Sequence, residues 1–174
     1  MMIVGVWLLS PAITVEALRA RVTDKVLRYE RFRQKAVIDA LGASWVDDED
    51  FDLGRHVVRE RLARRRGQSE REALQARASE LAATPLDHAH PLWKMHLIEH
   101  YEDGSAMIVR IHHCIADGIA LNAVRIAGIG LGDVVAVVGE GLVDFLQKPY
   151  QAEQLAAAIS KALAAPPGGA PEAP

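Results

Sequence analysis

The amino-acid sequence predicts an α/β fold, and three observations point to that class. The apolar run at residues 2–9 (MIVGVWLL) is typical of a buried strand and is followed by a segment with helical spacing. Two more strand-like runs, at 93–100 and 106–112, flank the dipeptide Asp103-Gly104, which is typical of a β-hairpin turn. A further helical segment, at 119–127, then follows the last of these strands.

Composition limits the classes of function. The chain has 174 residues, of which 50% are hydrophobic and 25% are charged, which suits one domain with a core and a short appendage. Its net charge of −3 indicates no general attraction to nucleic acid. Cys114 is the one cysteine, so an internal disulfide is excluded and nothing indicates an oxidising compartment. Residues 2–9 are far shorter than the roughly 20 apolar residues of a membrane-spanning helix, and we expect a cytoplasmic protein.

The segment after the first strand predicts an amphipathic helix. Thr14 has the side chain of an N-cap, and the helix is predicted over 15–28. Beyond it, 31–38 is strand-like, the acidic stretch 45–53 is predicted to be irregular surface chain, and 56–59 is a candidate short strand. The inward face of the helix is formed by Val15, Leu18, Val22 and Val26.

The second predicted helix begins at a capping box. Ser69 and Glu72 have the spacing in which each side chain accepts the backbone N–H of the other, and the helix is predicted to end near Ala83. The loop 85–93 (PLDHAHPLW) then leads into the next strand. The apolar face of this helix consists of Leu74, Ala78 and Leu81.

The clearest chemical motif is HHCIADG at residues 112–118. His112, His113, Asp117 and Gly118 form the pattern HHxxxDG between a strand and a helix, where rigid elements often hold catalytic residues on a loop. Acyl transfer to an alcohol needs a base for the hydroxyl proton, and histidine suits this task because its ordinary pKa is near neutral. If the strand continued to His113, the two imidazoles would face opposite sides of the sheet. The alternative is a loop whose histidines are only structural.

The chain resembles the wax ester synthase/diacylglycerol acyltransferase family, in the superfamily of chloramphenicol acetyltransferases and peptide-synthetase condensation domains. The resemblance covers residues 1–127 and includes, besides HHxxxDG, the segments IVGVWLL, LRYERFRQKAV, WVDDEDFDLGRHV and PLDHAHPLW. It implies half of a two-lobe, chloramphenicol acetyltransferase-like fold, in which a mixed sheet with flanking helices forms a partial N-terminal lobe.

The same resemblance implies an activity. Members transfer a fatty acyl group from acyl-CoA to diacylglycerol or a long-chain alcohol, which makes triacylglycerols and wax esters. His113 is then the general base, His112 and Asp117 support its loop, and Gly118 lines the substrate tunnel. Acyl-CoA is a substrate, and neither a metal nor another cofactor is implied.

The resemblance ends after roughly one lobe, whereas family members hold the active site between two. We therefore expect this chain to expose an apolar face, and to have little or no activity unless another chain supplies the second lobe. The alternative is a catalytically inactive, truncated or fused fragment that acts as an interaction module. The lipid nature of the substrates also leaves open a contact with the periphery of membranes or lipid droplets.

Residues 128–164 have a different character. With a strand-like run at 134–138 and a predicted helix over 152–164, they resemble the last strand-loop-helix portion of a response-regulator receiver domain. By that resemblance Lys148, in the Lys-Pro loop, contacts a phosphorylated aspartate. The rest of a receiver is missing, which favours the alternative of a surface lysine. The Pro-, Gly- and Ala-rich residues 165–174 are predicted to be a disordered tail.

The remaining histidines are weak candidates for a metal site. His96 and His100 could chelate an ion on a helix, but on a strand four residues span about 13 Å, too far for one ion. His88 and His90 lack cysteine partners nearby.

Three further groups have alternative interpretations. The cluster Arg64–Arg66 is either a solvated surface or a contact for anionic lipid or CoA phosphates. Cys114 beside His113 suggests a Cys-His nucleophile, but adjacent residues of an extended chain point apart. The segment 91–93 (PLW) is predicted to supply core and turn residues.

Overall fold

The computed structural model describes residues 2–40 and 42–115. Its main element is a four-stranded mixed sheet in the order β1-β6-β5-β4, formed by β1 (Met2–Leu9), β6 (Gly104–His112), β5 (Trp93–Tyr101) and β4 (Val57–Arg59). The β1–β6 and β6–β5 pairs are antiparallel and the β5–β4 pair is parallel. A separate antiparallel pair consists of β2 (Gln34–Asp39) and β3 (Gly42–Asp47). The predicted mixed sheet is confirmed.

Within the described ranges, three α-helices accompany the strands: α1 (Val15–Lys25), α2 (Leu53–His56) and α3 (Glu70–Ala83). The N-cap of α1 is Thr14, as predicted, and its Oγ1 accepts the N–H of Ala17. The helix ends three residues earlier than predicted, because the chain turns after Val26 into a 3-10 turn at Glu30–Phe32 that carries Phe32 into the core.

The two helices α1 and α3 cover opposite faces of the sheet. Alternate residues of β6 divide between two apolar clusters: Met107 and Ile111 belong to the cluster with α1, and Ile108 to the cluster with α3. This alternation follows from strand geometry, in which neighbouring side chains point to opposite faces. Arg110 lies on the α3 face, where its guanidinium donates to the carbonyl of Thr84 at the end of that helix.

The capping box of α3 is present as predicted. The N–H of Glu72 donates to Ser69 Oγ at 3.2 Å, and the N–H of Ser69 donates to Glu72 Oε2 at 2.8 Å. We expect Ser69→Ala to lower the free energy of unfolding by about 1 kcal/mol. Ser69→Asp should lower it much less, because an aspartate side chain can also accept the backbone hydrogen bond at the N-cap. Urea denaturation followed by circular dichroism measures this, and equal losses in the two variants would contradict the capping role.

Two local predictions were wrong. Residues 45–47 were predicted to be irregular, but they belong to β3, where Trp45 pairs with Ala36 and the guanidinium carbon of Arg31 lies 4.0 Å from the centre of the Trp45 ring. The hairpin turns at Glu102, one residue before the predicted dipeptide, and Glu102 has φ of 47°. Gly104 is in the strand, where a Cβ atom would lie 2.1 Å from the Leu9 carbonyl oxygen, so glycine is needed there for close approach.

Several predictions lie outside the described residues. They are the helix at 119–127, the strand at 134–138, the helix at 152–164, the tail at 165–174, and the side chains of Asp117, Gly118 and Lys148. Within the described part, the exposed large apolar side chains are Tyr29, Ile38 and Val46. The expected apolar face is therefore not found in this part of the chain.

Candidate active site at the end of the central strand

The two histidines of the motif lie where a central strand of the sheet ends. His112 is the last residue of β6, and its N–H donates to the Leu92 carbonyl at 2.8 Å. The next residues form a turn that is closed by the N–H of Ile115 on the His112 carbonyl and anchored by the buried Ile115 side chain. The strand thus stops one residue before His113, and the turn presents this residue exposed to solvent.

The imidazole of His112 is held from one side by Cys114. The backbone N–H of Cys114 donates to His112 Nδ1 at 3.3 Å, and its Sγ lies 2.9 Å from the same nitrogen. Because Nδ1 accepts hydrogen bonds, we assign the proton of the neutral ring to Nε2. The His88 ring lies edge-on to the same imidazole, with the ring centres 6.5 Å apart.

The surroundings of Cys114 argue against its action as a nucleophile paired with a histidine. The sulfur of Cys114 contacts His112, its second neighbour along the chain, a contact that the sequence pattern does not predict. Burial raises the pKa of the Cys114 thiol, which disfavours the thiolate that a nucleophilic cysteine requires. Cys114 therefore has the features of a group that orients His112.

A buried carboxylate, Asp48, joins the acidic segment at 45–53 to the histidine-containing loop at 85–93. The Asp48 side chain has no solvent exposure and lies 2.9 Å from His90 Nδ1 and 3.6 Å from Lys35 Nζ. Burial opposes ionisation of Asp48, but the hydrogen bonds from His90 and from the Asp50 backbone hold its pKa below the usual range. Arg55 completes the chain of contacts, 2.9 Å from His90 Nε2.

Aromatic rings hold the start of β5 beside this network. Trp93 is 1% exposed, stacks on His56 with ring centres 4.5 Å apart, and meets Phe32 edge-on at 5.6 Å. Its Nε1 donates to the Phe32 carbonyl at 2.8 Å. Pro91, Leu92 and Trp93 are all buried, as predicted for this segment. Because Trp93 pairs with Ile111, this packing also holds the strand end that carries the motif.

The burial of His56 predicts that the stability of the fold depends on pH. Its Nδ1 donates to the Trp93 carbonyl at 2.8 Å, and within the described part of the chain its buried Nε2 has no hydrogen-bond partner. Desolvation lowers the pKa of His56, so the folded chain resists a proton that the unfolded chain binds below pH about 6.5. The free energy of unfolding should therefore fall as the pH decreases through this region, by at most about 1.4 kcal/mol per pH unit.

Urea denaturation at pH 7.5 and at pH 5.5 tests this contribution against the variant His56→Asn. We expect the wild-type chain to lose more stability than the variant between the two pH values, since asparagine does not titrate. Equal losses would show that His56 is protonated as easily in the folded chain as in the unfolded one.

The other candidate residues lie apart from the motif. His96 and His100 are on β5, as predicted, but His96 Nδ1 lies 2.7 Å from Glu60, which also accepts a hydrogen bond from Arg77. No group of three metal-ligating side chains occurs among residues 2–40 and 42–115. The Arg64 side chain pairs with Glu70, whose Oε2 accepts the N–H of Glu102 at the hairpin. The arginine cluster is thus at the far end of the sheet from His112, roughly one length of β6, or about 27 Å, away.

None of the helices in the described ranges has the length and apolar character that crossing a bilayer requires.

Comparisons with known proteins place this chain in a family. The model of the wax ester synthase/diacylglycerol acyltransferase catalytic domain matches residues 8–128. A Mycobacterium tuberculosis protein named "Probable diacyglycerol O-acyltransferase tgs1" is 40% identical over 115 residues, which are 64% of this chain and 24% of that protein. A second one from the same species, named tgs3, is 34% identical over 116 residues, or 64% of this chain and 42% of that protein. The chain therefore spans about a quarter of the first relative and less than half of the second.

Solved structures agree with this placement. The wax ester synthase/diacylglycerol acyltransferase from Marinobacter aquaeolei VT8 aligns with a TM-score of 0.55 and 25% identity, over 73% of this chain and 32% of that chain. The starter condensation domain of rhizomide synthetase aligns with a TM-score of 0.57 at 15% identity, over 73% of this chain and 30% of that domain, which supports the predicted fold. The chain belongs to the wax ester synthase/diacylglycerol acyltransferase family.

Proposed function

We propose that His113 is the general base of an O-acyltransferase that moves a fatty acyl group from acyl-CoA to diacylglycerol or a long-chain alcohol. The observation that carries the proposal is the exposed His113 in the turn at the end of β6, whose neighbours on both sides are anchored. An anchored turn on a rigid sheet positions a catalytic group at little further entropic cost.

The reaction needs a single proton shuttle. The imidazole of His113 accepts the hydroxyl proton as the alcohol oxygen attacks the thioester carbonyl carbon. The C–O bond forms, the C–S bond breaks, and the imidazolium returns its proton to the sulfur of the departing CoA. The products are an ester and free CoA, so no oxidation state changes and the step requires no redox cofactor.

The contacts of His112 favour a supporting role for it. Its Nδ1 accepts from the Cys114 N–H, and its backbone is bound on one side by Leu92 and on the other by Ile115. These bonds fix the turn from which His113 projects. By the family motif, we assign Asp117 to the orientation of the same loop and Gly118 to the wall of the substrate tunnel.

The matched residues cover only part of the relatives' length, so we expect other residues to complete the substrate channel. Since this chain spans about a quarter of its mycobacterial relative, we propose that a second lobe, from further sequence or another chain, completes the channel. We also propose that the protein meets its lipid acceptor at the periphery of a membrane or lipid droplet.

The activity is tested with the chain alone and with the chain co-purified with the part of its tgs1 relative that lies outside the match, each incubated with palmitoyl-CoA and either dioleoylglycerol or hexadecanol. Free CoA is measured with a thiol reagent. The ester, formed from palmitoyl-CoA with a labelled acyl chain, is measured by thin-layer chromatography. Ester formation that depends on the alcohol supports the proposal. Thioester loss without ester would contradict it, and no turnover in either preparation would favour the alternative of an inactive interaction module.

A further inference from the structure

The loop at residues 85–93 contacts the histidine motif at two points. The His88 ring lies edge-on to the His112 imidazole, with the ring centres 6.5 Å apart. The Leu92 carbonyl accepts the His112 N–H at 2.8 Å. The position of this loop therefore affects both the side chain and the backbone of the residue that precedes His113.

Between these two contacts the loop forms a closed turn. The Ala89 N–H donates to Asp87 Oδ1 at 2.9 Å, and the His90 N–H donates to the Asp87 carbonyl at 3.4 Å. His88 lies inside this turn, and His90 ends it two residues before Leu92. A displacement of His90 would therefore move both of the residues that contact the motif.

His90 is held at both of its ring nitrogens. Its Nδ1 lies 2.9 Å from Asp48 Oδ2, and its Nε2 lies 2.9 Å from Arg55 Nη1. Guanidinium nitrogens donate hydrogen bonds but do not accept them, so Nε2 of His90 is the acceptor. We assign the proton of the neutral ring to Nδ1, which donates it to the carboxylate. This tautomer is the opposite of the one that the contacts of His112 require.

The Asp48 carboxylate is fixed from several sides. Its side chain has no solvent exposure, and Oδ1 accepts the Asp50 N–H at 3.3 Å and lies 3.6 Å from Lys35 Nζ. The backbone N–H of Asp48 donates to the Arg33 carbonyl at 3.0 Å. Burial of a carboxylate is costly unless such partners surround it, and its removal would leave several donors without an acceptor. Asp48 is thus a rigid support for the His90 ring.

We propose that Asp48 is a positioning residue for acyl transfer, which acts through His90 to hold the loop 85–93 against the motif at His112 and His113. This proposal rests on the proposed function, in which the motif supplies the base. Because Asp48 is closed to solvent, it acts by orientation and not by contact with substrate. A misplacement of about 1 Å at a reacting group can lower the rate by about a hundredfold, so a remote support of this kind has a large effect.

Side-chain ¹H–¹⁵N correlation spectra of the ¹⁵N-labelled chain test these contacts without turnover. Single substitutions to glutamine at His88, His90 and His112 assign the signals. We expect His90 to carry its proton on Nδ1 and His112 to carry its proton on Nε2. In Asp48→Asn, the His90 signals should change and those of His88 and His112 should shift with them, because the turn loses its charged support.

Glu60→Gln is the matched control for this variant. Glu60 pairs with His96, in the middle of β5, at 2.7 Å, much as Asp48 pairs with His90. The control should change the His96 signals and leave those of His112 in place. A shift of the His112 signals in Asp48→Asn but not in Glu60→Gln supports the proposal.

Turnover with the second lobe supplied gives a second measure. We expect Asp48→Asn to lower kcat by about tenfold to a hundredfold. The KM for palmitoyl-CoA should change little, because the groups that contact the substrate are retained. Glu60→Gln should keep the wild-type kcat. A loss of kcat in Asp48→Asn that is no larger than its loss of folded protein, measured by urea denaturation, would overturn the positioning role.

Arg55→Met decides the question if Asp48→Asn does not fold. Arg55 is exposed, and methionine retains a long side chain but donates no hydrogen bond to His90 Nε2. We expect the signals of His90, His88 and His112 to shift in this variant. Signals of His88 and His112 that remain in place would then overturn the proposal.

The outcomes separate this proposal from the proposed function. It is overturned if His90 carries its proton on Nε2, or if the His88 and His112 signals are unchanged in a folded Asp48→Asn chain. If these signals shift as expected but no preparation makes ester, Asp48 still positions the motif, and the proposed role of His113 is what fails.

Discussion

Replacing His113 with alanine should lower the rate of acyl transfer by about 10²–10⁴-fold, the usual contribution of a general base. The variant loses the group that accepts the hydroxyl proton, so the alcohol must attack without assistance. The side chain is exposed in its turn, and its removal should leave the urea midpoint close to that of the wild type. The measurement is initial velocity with palmitoyl-CoA and hexadecanol at saturating concentrations of both, with the second lobe supplied by the co-purified part of the tgs1 relative.

His100→Ala is the matched control for this variant. His100 is exposed on β5, toward the hairpin and away from the motif, so the same substitution there should change the rate little. His113→Ala with undiminished turnover would remove this residue from the mechanism. A loss of activity accompanied by a clear decrease of the urea midpoint would instead indicate that the imidazole only supports the turn.

Replacing Trp93 with alanine should lower the free energy of unfolding by about 3–5 kcal/mol, the usual cost of removing a buried tryptophan side chain. Trp93 is 1% exposed, lies between Phe32 and His56, and donates a hydrogen bond to the Phe32 carbonyl. The substitution leaves a cavity and also a buried carbonyl without its partner. Urea denaturation followed by circular dichroism gives the change in stability.

Trp93→Phe separates the cost of the cavity from the cost of the lost hydrogen bond. Phenylalanine keeps most of the apolar volume but cannot donate the hydrogen bond, so we expect a smaller loss, about 1–3 kcal/mol. Because Trp93 pairs with Ile111 next to the motif, the alanine variant should also lose turnover. A stability change below about 1 kcal/mol in Trp93→Ala would contradict a stabilising role for the aromatic cluster.

The elements that the sequence predicted well depend on neighbours along the chain. The caps at Thr14 and Ser69 act over three residues, and the β5–β6 hairpin joins strands that are adjacent in sequence. Residues 45–47 were missed as part of a strand because most of β3 is exposed and an acidic run, typical of surface chain, begins at its end. This strand forms by pairing with β2, and the half-buried ring of Trp45 packs against the main core cluster as well as against the Arg31 guanidinium.

The sequence by itself determined the family, the mixed sheet and the position of the histidine motif where a strand ends. Tertiary structure alone decided which groups surround that motif. His90 lies 42 positions from Asp48, and His88 is still more remote along the chain from the start of β1, yet they share one end of the sheet. Contacts of this kind follow from the order and register of the strands, which bring distant segments together, and no local pattern of residue types encodes them.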